Sequence, residues 1–298
     1  MSERVLSARL CARGRVIADA QLSPDGSLVS AVVRTTGRAE LVVVPAGGGA
    51  ELVLSGEPDV AGAHPSGGGG HCWTPDGAGL VYVGREGGLW RVPAGGGSAA
   101  RVGPARSGEE EGPPVWSPAV SPDGATLVWV EDGRRVVAAP LDGAGPPTLL
   151  TEPEPDFAMD PVVSPDSARV AWVEWDVPAM PWDSSRVVGD DLRTGRRRVV
   201  AGGEGVAVQQ PRFGPGGRLG WVSDATGWAN VWAEGEGGGP ARPVLEEAFE
   251  HAEAAWGPGQ RSWCWSPDGG AVGACRNEGG FARLVVAAAG AREGGPEV

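Results

Sequence analysis

Apolar residues in this chain fall in short runs of four to six, separated by polar and glycine-rich gaps. Leu28-Val29-Ser30-Ala31-Val32-Val33, Leu80-Val81-Tyr82-Val83, Leu127-Val128-Trp129-Val130, Val170-Ala171-Trp172-Val173 and Leu219-Gly220-Trp221-Val222 are rich in β-branched and aromatic residues. Such runs predict strands buried on both faces. Each follows a tetrapeptide of one kind: Ser23-Pro24-Asp25-Gly26, Thr74-Pro75-Asp76-Gly77, Ser121-Pro122-Asp123-Gly124, Ser164-Pro165-Asp166-Ser167 and Gly214-Pro215-Gly216-Gly217, with Ser266-Pro267-Asp268-Gly269 as a sixth copy. Proline presets the second turn position, aspartate tolerates the third, and glycine accepts the left-handed conformation at the fourth. The tetrapeptide therefore predicts a tight turn between antiparallel strands.

The turns begin 51, 47, 43, 50 and 52 residues apart. A period of 40 to 50 residues is that of a four-stranded propeller blade. Third strands follow in each unit, as in Glu40-Leu41-Val42-Val43-Val44, Gly88-Leu89-Trp90-Arg91-Val92, Val136-Val137-Ala138-Ala139 and Asn230-Val231-Trp232, then weaker fourth strands such as Glu51-Leu52-Val53-Leu54, Thr148-Leu149-Leu150 and Arg198-Val199-Val200. Tyr82, Trp129, Trp172 and Trp221 recur at one place after the turn and suit the wedge between blades. The expected architecture is all-β: one β-propeller domain over residues 1–298, with blades beginning near 16, 68, 114, 159, 207 and 260. Val244 to Trp256 has helix-favouring composition but sits where a fourth strand and its exit loop belong. The sixth unit ends soon after Phe281–Val286. Either a strand at Arg4–Leu10 closes a six-bladed ring, or the natural chain continues past Val298, the reading preferred here; six blades are recognisable, and an incomplete seven-bladed ring is the open alternative.

Composition narrows the chemistry. The net charge of −13 disfavours nucleic acid and anionic membrane surfaces. All 25 basic residues are arginine, which excludes Walker-type phosphate loops and lysine-based catalysis. No apolar stretch approaches the length of a membrane span. Met1–Leu6 lacks the features of a signal peptide, and Cys11, Cys72, Cys264 and Cys275 show no C-x-x-C spacing, so a cytoplasmic chain with reduced thiols is expected. Cys264 and Cys275 sit where they could face each other across a hairpin; they read more simply as small buried apolar residues. His64 and His71 flank Pro65–Gly70 without further ligands at metal-binding spacing, and the segment reads as a flexible loop. Gly67–Gly70 lacks the strand-to-helix context of a phosphate cradle. Glu109–Glu111 reads as solvated loop, and Arg196–Arg198 as cover for a hairpin edge, with Arg198 able to form a specific ion pair. The aspartates of the turns share one slot and are structural.

Four segments are more specific than the repeat. Ser223-Asp224-Ala225-Thr226-Gly227-Trp228-Ala229-Asn230-Val231-Trp232, Gln209-Gln210-Pro211-Arg212-Phe213-Gly214-Pro215-Gly216-Gly217, Glu174-Trp175-Asp176-Val177-Pro178-Ala179-Met180-Pro181-Trp182-Asp183 and Trp256-Gly257-Pro258-Gly259-Gln260-Arg261-Ser262-Trp263 resemble, in this order, signatures of the prolyl oligopeptidase family of serine peptidases, of the acylaminoacyl-peptidase or dipeptidyl-peptidase type. The resemblance runs over the full length. It implies a propeller that covers the mouth of an α/β-hydrolase domain and filters the peptides that reach it. That hydrolase domain is expected as a partner and is absent from this chain, whose nearest approach to the G-x-S-x-G elbow, Gly96-Gly97-Ser98-Ala99-Ala100, sits in a hairpin loop with no helix behind it. His64, His71 and His251 lack motifs that would build a triad. No catalytic residue, cofactor or metal site is expected. The insertion bearing Trp175, Met180, Pro181, Trp182 and Asp183 lengthens one blade between its second and third strands, exposes residues typical of interface cores, and is the candidate for hydrolase docking or substrate gating; packing onto its own blade is the alternative. A free-standing propeller that binds a protein or small ligand, and a metal-dependent propeller hydrolase or lactonase, are the rival readings.

Overall fold

A computed structural model describes residues 14–54, 57–62, 68–103, 113–235, 237 and 239–289. Blade 1 comprises β1 (Val16–Leu22), β2 (Leu28–Thr35), β3 (Arg38–Pro45) and β4 (Leu52–Val53); blade 2 comprises β5 (His71–Trp73), β6 (Gly79–Val83), β7 (Leu89–Pro93) and β8 (Ala100–Val102). Blade 3 is built from β9 (Val115–Val120), β10 (Thr126–Glu131), β11 (Arg135–Pro140) and β12 (Thr148–Leu149), and blade 4 from β13 (Phe157–Val163), β14 (Arg169–Trp175), β15 (Ser185–Asp191) and β16 (Arg196–Gly203). Blade 5 follows with β17 (Val208–Phe213), β18 (Leu219–Ser223), β19 (Asn230–Ala233) and β20 (Arg242–Leu245), then blade 6 with β21 (Trp263–Trp265), β22 (Ala271–Glu278) and β23 (Phe281–Ala288). Every sheet is an antiparallel meander in chain order, so the chain is a six-bladed β-propeller; among the described residues blade 6 has three strands. The segment expected to close the ring, Arg4–Leu10, lies outside the described residues.

The tetrapeptides are the β1–β2-type turns, and the aspartate does more than tolerate its position. Asp25 Oδ1 accepts the Ser23 hydroxyl at 2.6 Å and the Ser27 N–H at 3.0 Å, while Ser23 Oγ accepts the Leu28 N–H at 2.9 Å. The same three bonds recur around Asp123, Asp166 and Asp268, and Asp76 works likewise with Thr74. These hydrogen bonds hold the turn carboxyls below the usual carboxylate range, Asp25 at about 2. Gly26, Gly77, Gly124 and Gly269 take the left-handed conformation the turn needs. Ser167 takes it in blade 4 with φ 57°.

Five apolar cores lie between successive blades. Tyr82 fills the first with Val32 and Leu41, Trp129 the second with Val81, Trp172 the third with Val128, Trp221 the fourth with Val173, and Trp263 the fifth with Val222. Trp172 is 0% exposed, and a buried indole of this kind is worth about 3 to 5 kcal/mol against alanine. Its N–H is met by Glu174 Oε2 at 3.0 Å, as Trp129 is met by Glu131 and Tyr82 by the Pro58 carbonyl. On the other face of blade 1, Ala31, Val33 and Val42 form a small separate cluster.

The structure decides points the sequence left open and corrects others. Residues 246–256 form no helix: β20 ends at Leu245 and the chain runs on irregularly, its Glu247 spent on Arg276 and His251. Cys264 and Cys275 are exposed, not buried, because both project from the sheet of blade 6 opposite its packed face; Cys264 pairs in register with Gly273 and Cys275 with Leu284, so they do not face each other. His71 belongs to no flexible loop. It opens β5 and is 1% exposed. Arg198 does form an ion pair, with Glu234 at 2.5 Å, and Arg197 pairs with buried Glu174 at 2.6 Å.

Candidate functional site

The first strands of successive blades touch one another and so ring the axis. Four of them carry a β-bulge, and in each the bulged residue has a positive φ: Asp19 (51°), Ser117 (50°), Asp160 (54°) and Gln210 (54°). All four stand four residues before the first residue of the turn. A bulge re-aims one side chain out of the alternation of its strand. Here it turns a polar residue of each blade toward the axis. Blade 6 crosses this space: the Pro258 carbonyl accepts the Gly68 N–H at 2.6 Å, Gly259 N–H donates to Asp160 Oδ1 at 2.7 Å, and Arg212 donates to the Gln260 carbonyl at 3.1 Å. Gly259 has φ +79°, and a Cβ there would lie 2.3 Å from the Gly69 nitrogen, so only glycine fits. The Gly68–Gly70 stretch thus meets protein backbone and the Asp19 carboxylate, which leaves it no cradle for a phosphate.

The charges around the axis are unequal. Burial alone would raise the Asp19 carboxyl, but the hydrogen bond and charge of His71, with Arg261 and Gln21, outweigh it and hold Asp19 at about 2. Burial pushes Asp160 up to about 6, against the pull of the Gly259 N–H, Arg212 and Arg261. Burial and the neighbouring Arg261 lower Arg212 to about 10.

One arrangement was invisible in the sequence. Ser30 Oγ lies 2.8 Å from His71 Nε2, and His71 Nδ1 lies 3.1 Å from Asp19 Oδ2. These are the side chains of a serine-hydrolase triad in the right order. They are sealed: Ser30 is 0% exposed, in the middle of β2, so no carbonyl can approach its hydroxyl. A nucleophile needs an exposed turn and an oxyanion site beside it. The cluster ties blade 1 to blade 2, with Gln21 Nε2 donating to the His71 carbonyl at 2.7 Å and the Trp73 N–H to the Gln21 carbonyl at 3.3 Å. A serine inside the apolar run Leu28–Val33 was the available signal. Ser98 lies in the β7–β8 loop, and His251 is buried against Glu247 at 3.2 Å. His64 and Glu109–Glu111 lie outside the described residues. Burial pushes the Cys72 thiol up to about 12, which makes it inert at neutral pH.

The insertion after β14 lies between strands two and three of its blade, and Trp256 lies on the link from a fourth strand to the next blade. In a meander both links emerge on the face opposite the proline turns. Together they wall a cavity of about 350 Å³, lined also by Trp116, Ser117, Phe157 and Met159. Trp175 stacks on Phe157 with centroids 5.1 Å apart, and Trp182 meets Trp256 at 4.4 Å. The insertion is less exposed than expected. Pro181 is buried and its carbonyl accepts the Ser185 hydroxyl at 2.9 Å, Trp175 and Trp182 are half-buried, and Met180 is exposed. Asp183 is exposed and accepts the Met180 N–H at 3.2 Å, so it caps the insertion and does not line the cavity. The turn residues, Pro24 to Gly269, lie on the far face. The Ser117 hydroxyl is buried without a protein partner. Among the described residues no group of three or more His, Cys, Asp or Glu is placed to hold a metal ion, and no helix is long and apolar enough to cross a membrane.

Solved structures share this architecture over almost the whole chain. A puromycin-hydrolysing peptidase of Mycobacterium tuberculosis superposes with a TM-score of 0.78 at 26% identity, covering 94% of this chain and 45% of that one. In fold the present chain is similar to the propeller portion of such peptidases. A puromycin hydrolase matches with a TM-score of 0.73 at 24% identity, over 94% of this chain and 46% of its own. A prolyl endopeptidase shares the fold with a TM-score of 0.62 at 14% identity, over 93% of this chain and 42% of its own. The chain thus spans less than half the length of these peptidases. No protein-family model matches the sequence, and no curated protein matches it significantly.

Proposed function

We propose that this chain is the propeller portion of a serine peptidase of the prolyl oligopeptidase type, and that it limits which peptides reach an α/β-hydrolase domain lying outside these 298 residues. The observation that carries the reading is the match to the puromycin-hydrolysing peptidase over 94% of this chain but 45% of that one. The Ser30–His71–Asp19 cluster is sealed within its strand and offers no hydroxyl to a peptide carbonyl. The insertion from Trp175 to Asp183 stands on the face opposite the turns, where it would meet the hydrolase or line the peptide's path. The chain by itself is expected to leave peptide amides uncleaved.

The reading frame downstream of codon 298 provides the first test. A G-x-S-x-G elbow within an α/β-hydrolase pattern supports the proposal, and a stop codon overturns it. In the joined protein, Met180→Ala with Trp182→Ala should change the preference for short over long peptides. Unchanged rates and unchanged domain docking would remove the insertion from the gating machinery.

A further inference from the structure

We propose that the tryptophan cavity is a subsite for one aromatic side chain of a peptide. The choice of a peptide rests on the peptidase reading; the choice of an aromatic group rests on the cavity. Its volume of about 350 Å³ lies at the small end of ligand pockets, enough for one ring and its flanking backbone and too small for a folded segment. Phe157, Trp175, Trp182 and Trp256 line it together with Met159 and Met180. Aromatic and sulphur contacts of this kind favour a planar, polarisable guest over an aliphatic one.

The walls are preset. Trp175 is held by its stack on Phe157, and Trp182 by Trp256 and by the Pro181 to Ser185 hydrogen bond behind it. A preset pocket spends little of its binding energy on ordering itself. Trp256 nevertheless remains 59% exposed at the rim, a large apolar surface with no protein cover. The Ser117 hydroxyl faces the Gly69 backbone, closed off from the cavity, and takes no part in the subsite. The exposed carboxylates of Asp156 and Asp183 flank the insertion and disfavour a guest ending in a free carboxylate.

The test uses the 298-residue chain labelled with 5-fluorotryptophan and two neutral-tailed probes, Gly-Phe-Gly amide and Gly-Ala-Gly amide, followed by fluorine NMR. Trp182→Phe and Trp256→Phe identify the two signals. The phenylalanine peptide should shift both and bind at least ten-fold more tightly than the alanine peptide. Trp256→Ala, at an exposed position, should abolish that preference. Phe281→Ala, on an exposed strand of blade 6, should change nothing. Equal binding of the two peptides, or a preference that survives Trp256→Ala, overturns the subsite. Either result leaves the hydrolase partnership standing, because that is read from the downstream frame. A stop codon there would instead remove the peptidase while leaving the measured aromatic preference intact.

Discussion

Asp19 and Asp160 occupy the same slot in blades 1 and 4, four residues before the turn, on the same bulge and with φ values of 51° and 54°. Their surroundings differ. Asp19 faces His71 at 3.1 Å and takes hydrogen bonds from Gln21 and the Gly70 N–H. Asp160 receives one backbone N–H, from Gly259, in a pocket where burial dominates. One carboxyl is held at about 2 and the other is pushed up to about 6. The repeat thus fixes where a side chain points, and the neighbours brought by other blades decide its charge.

The largest effect should come from Asp19→Ala. It leaves His71, Gln21 and the Gly70 N–H without their partner in a buried seam, a loss of about 3 kcal/mol in denaturant unfolding at pH 7. An unchanged midpoint would mean that the Asp19–His71–Ser30 cluster contributes nothing to the seam. Asp19→Asn isolates the charge. Because the folded carboxyl ionises near 2 and the unfolded one near 3.8, its stabilisation is present above pH 4 and disappears as pH falls through about 2. The variant should lose about 2 kcal/mol at pH 7 and match the parent near pH 2.

Asp160→Asn should act with the opposite sign. The folded group keeps its proton up to about pH 6 while the unfolded chain releases it near 3.8, so its contribution is full below pH 4 and is lost as pH rises through 6. The amide still accepts the Gly259 N–H. Stability should therefore rise by about 1 kcal/mol at pH 8, less than the full shift implies because the new amide nitrogen needs a partner, and stay unchanged at pH 3.5. A loss at pH 8 would show that Arg212 and Arg261 keep this carboxyl ionised and paired. The smallest effect belongs to the turns. Asp268→Ala removes two short-range hydrogen bonds at an exposed position, and a Tm shift of about 1 to 2 °C is expected in a thermal melt.

The blades, their order and the wedge aromatics were legible in the sequence because each is encoded within a dozen residues. The Ser-Pro-Asp-Gly turn closes on its own hydroxyl and carboxylate, and the run that follows shows its two-sided burial directly. The cysteines of blade 6 misled because the apolar pattern gave no sign of which face of that sheet meets a neighbour. The insertion was found by its composition, yet its half-buried state was not, because Trp256, which covers Trp182, lies 74 positions further on. The Ser30–His71–Asp19 cluster escaped for the same reason: Ser30 and His71 are separated by 41 positions and by a blade boundary.

What the sequence determined by itself is therefore local: turn chemistry, strand pattern, the period of the repeat and the exclusion of lysine chemistry. Tertiary structure alone decided the axial contacts, the divergent charges of Asp19 and Asp160, and the cavity between blades 3 and 4 and the link from blade 5 to blade 6. The physical reason is separation along the chain. Asp160 and Gly259, 99 positions apart, meet because closing blades around an axis brings together groups that no local pattern relates.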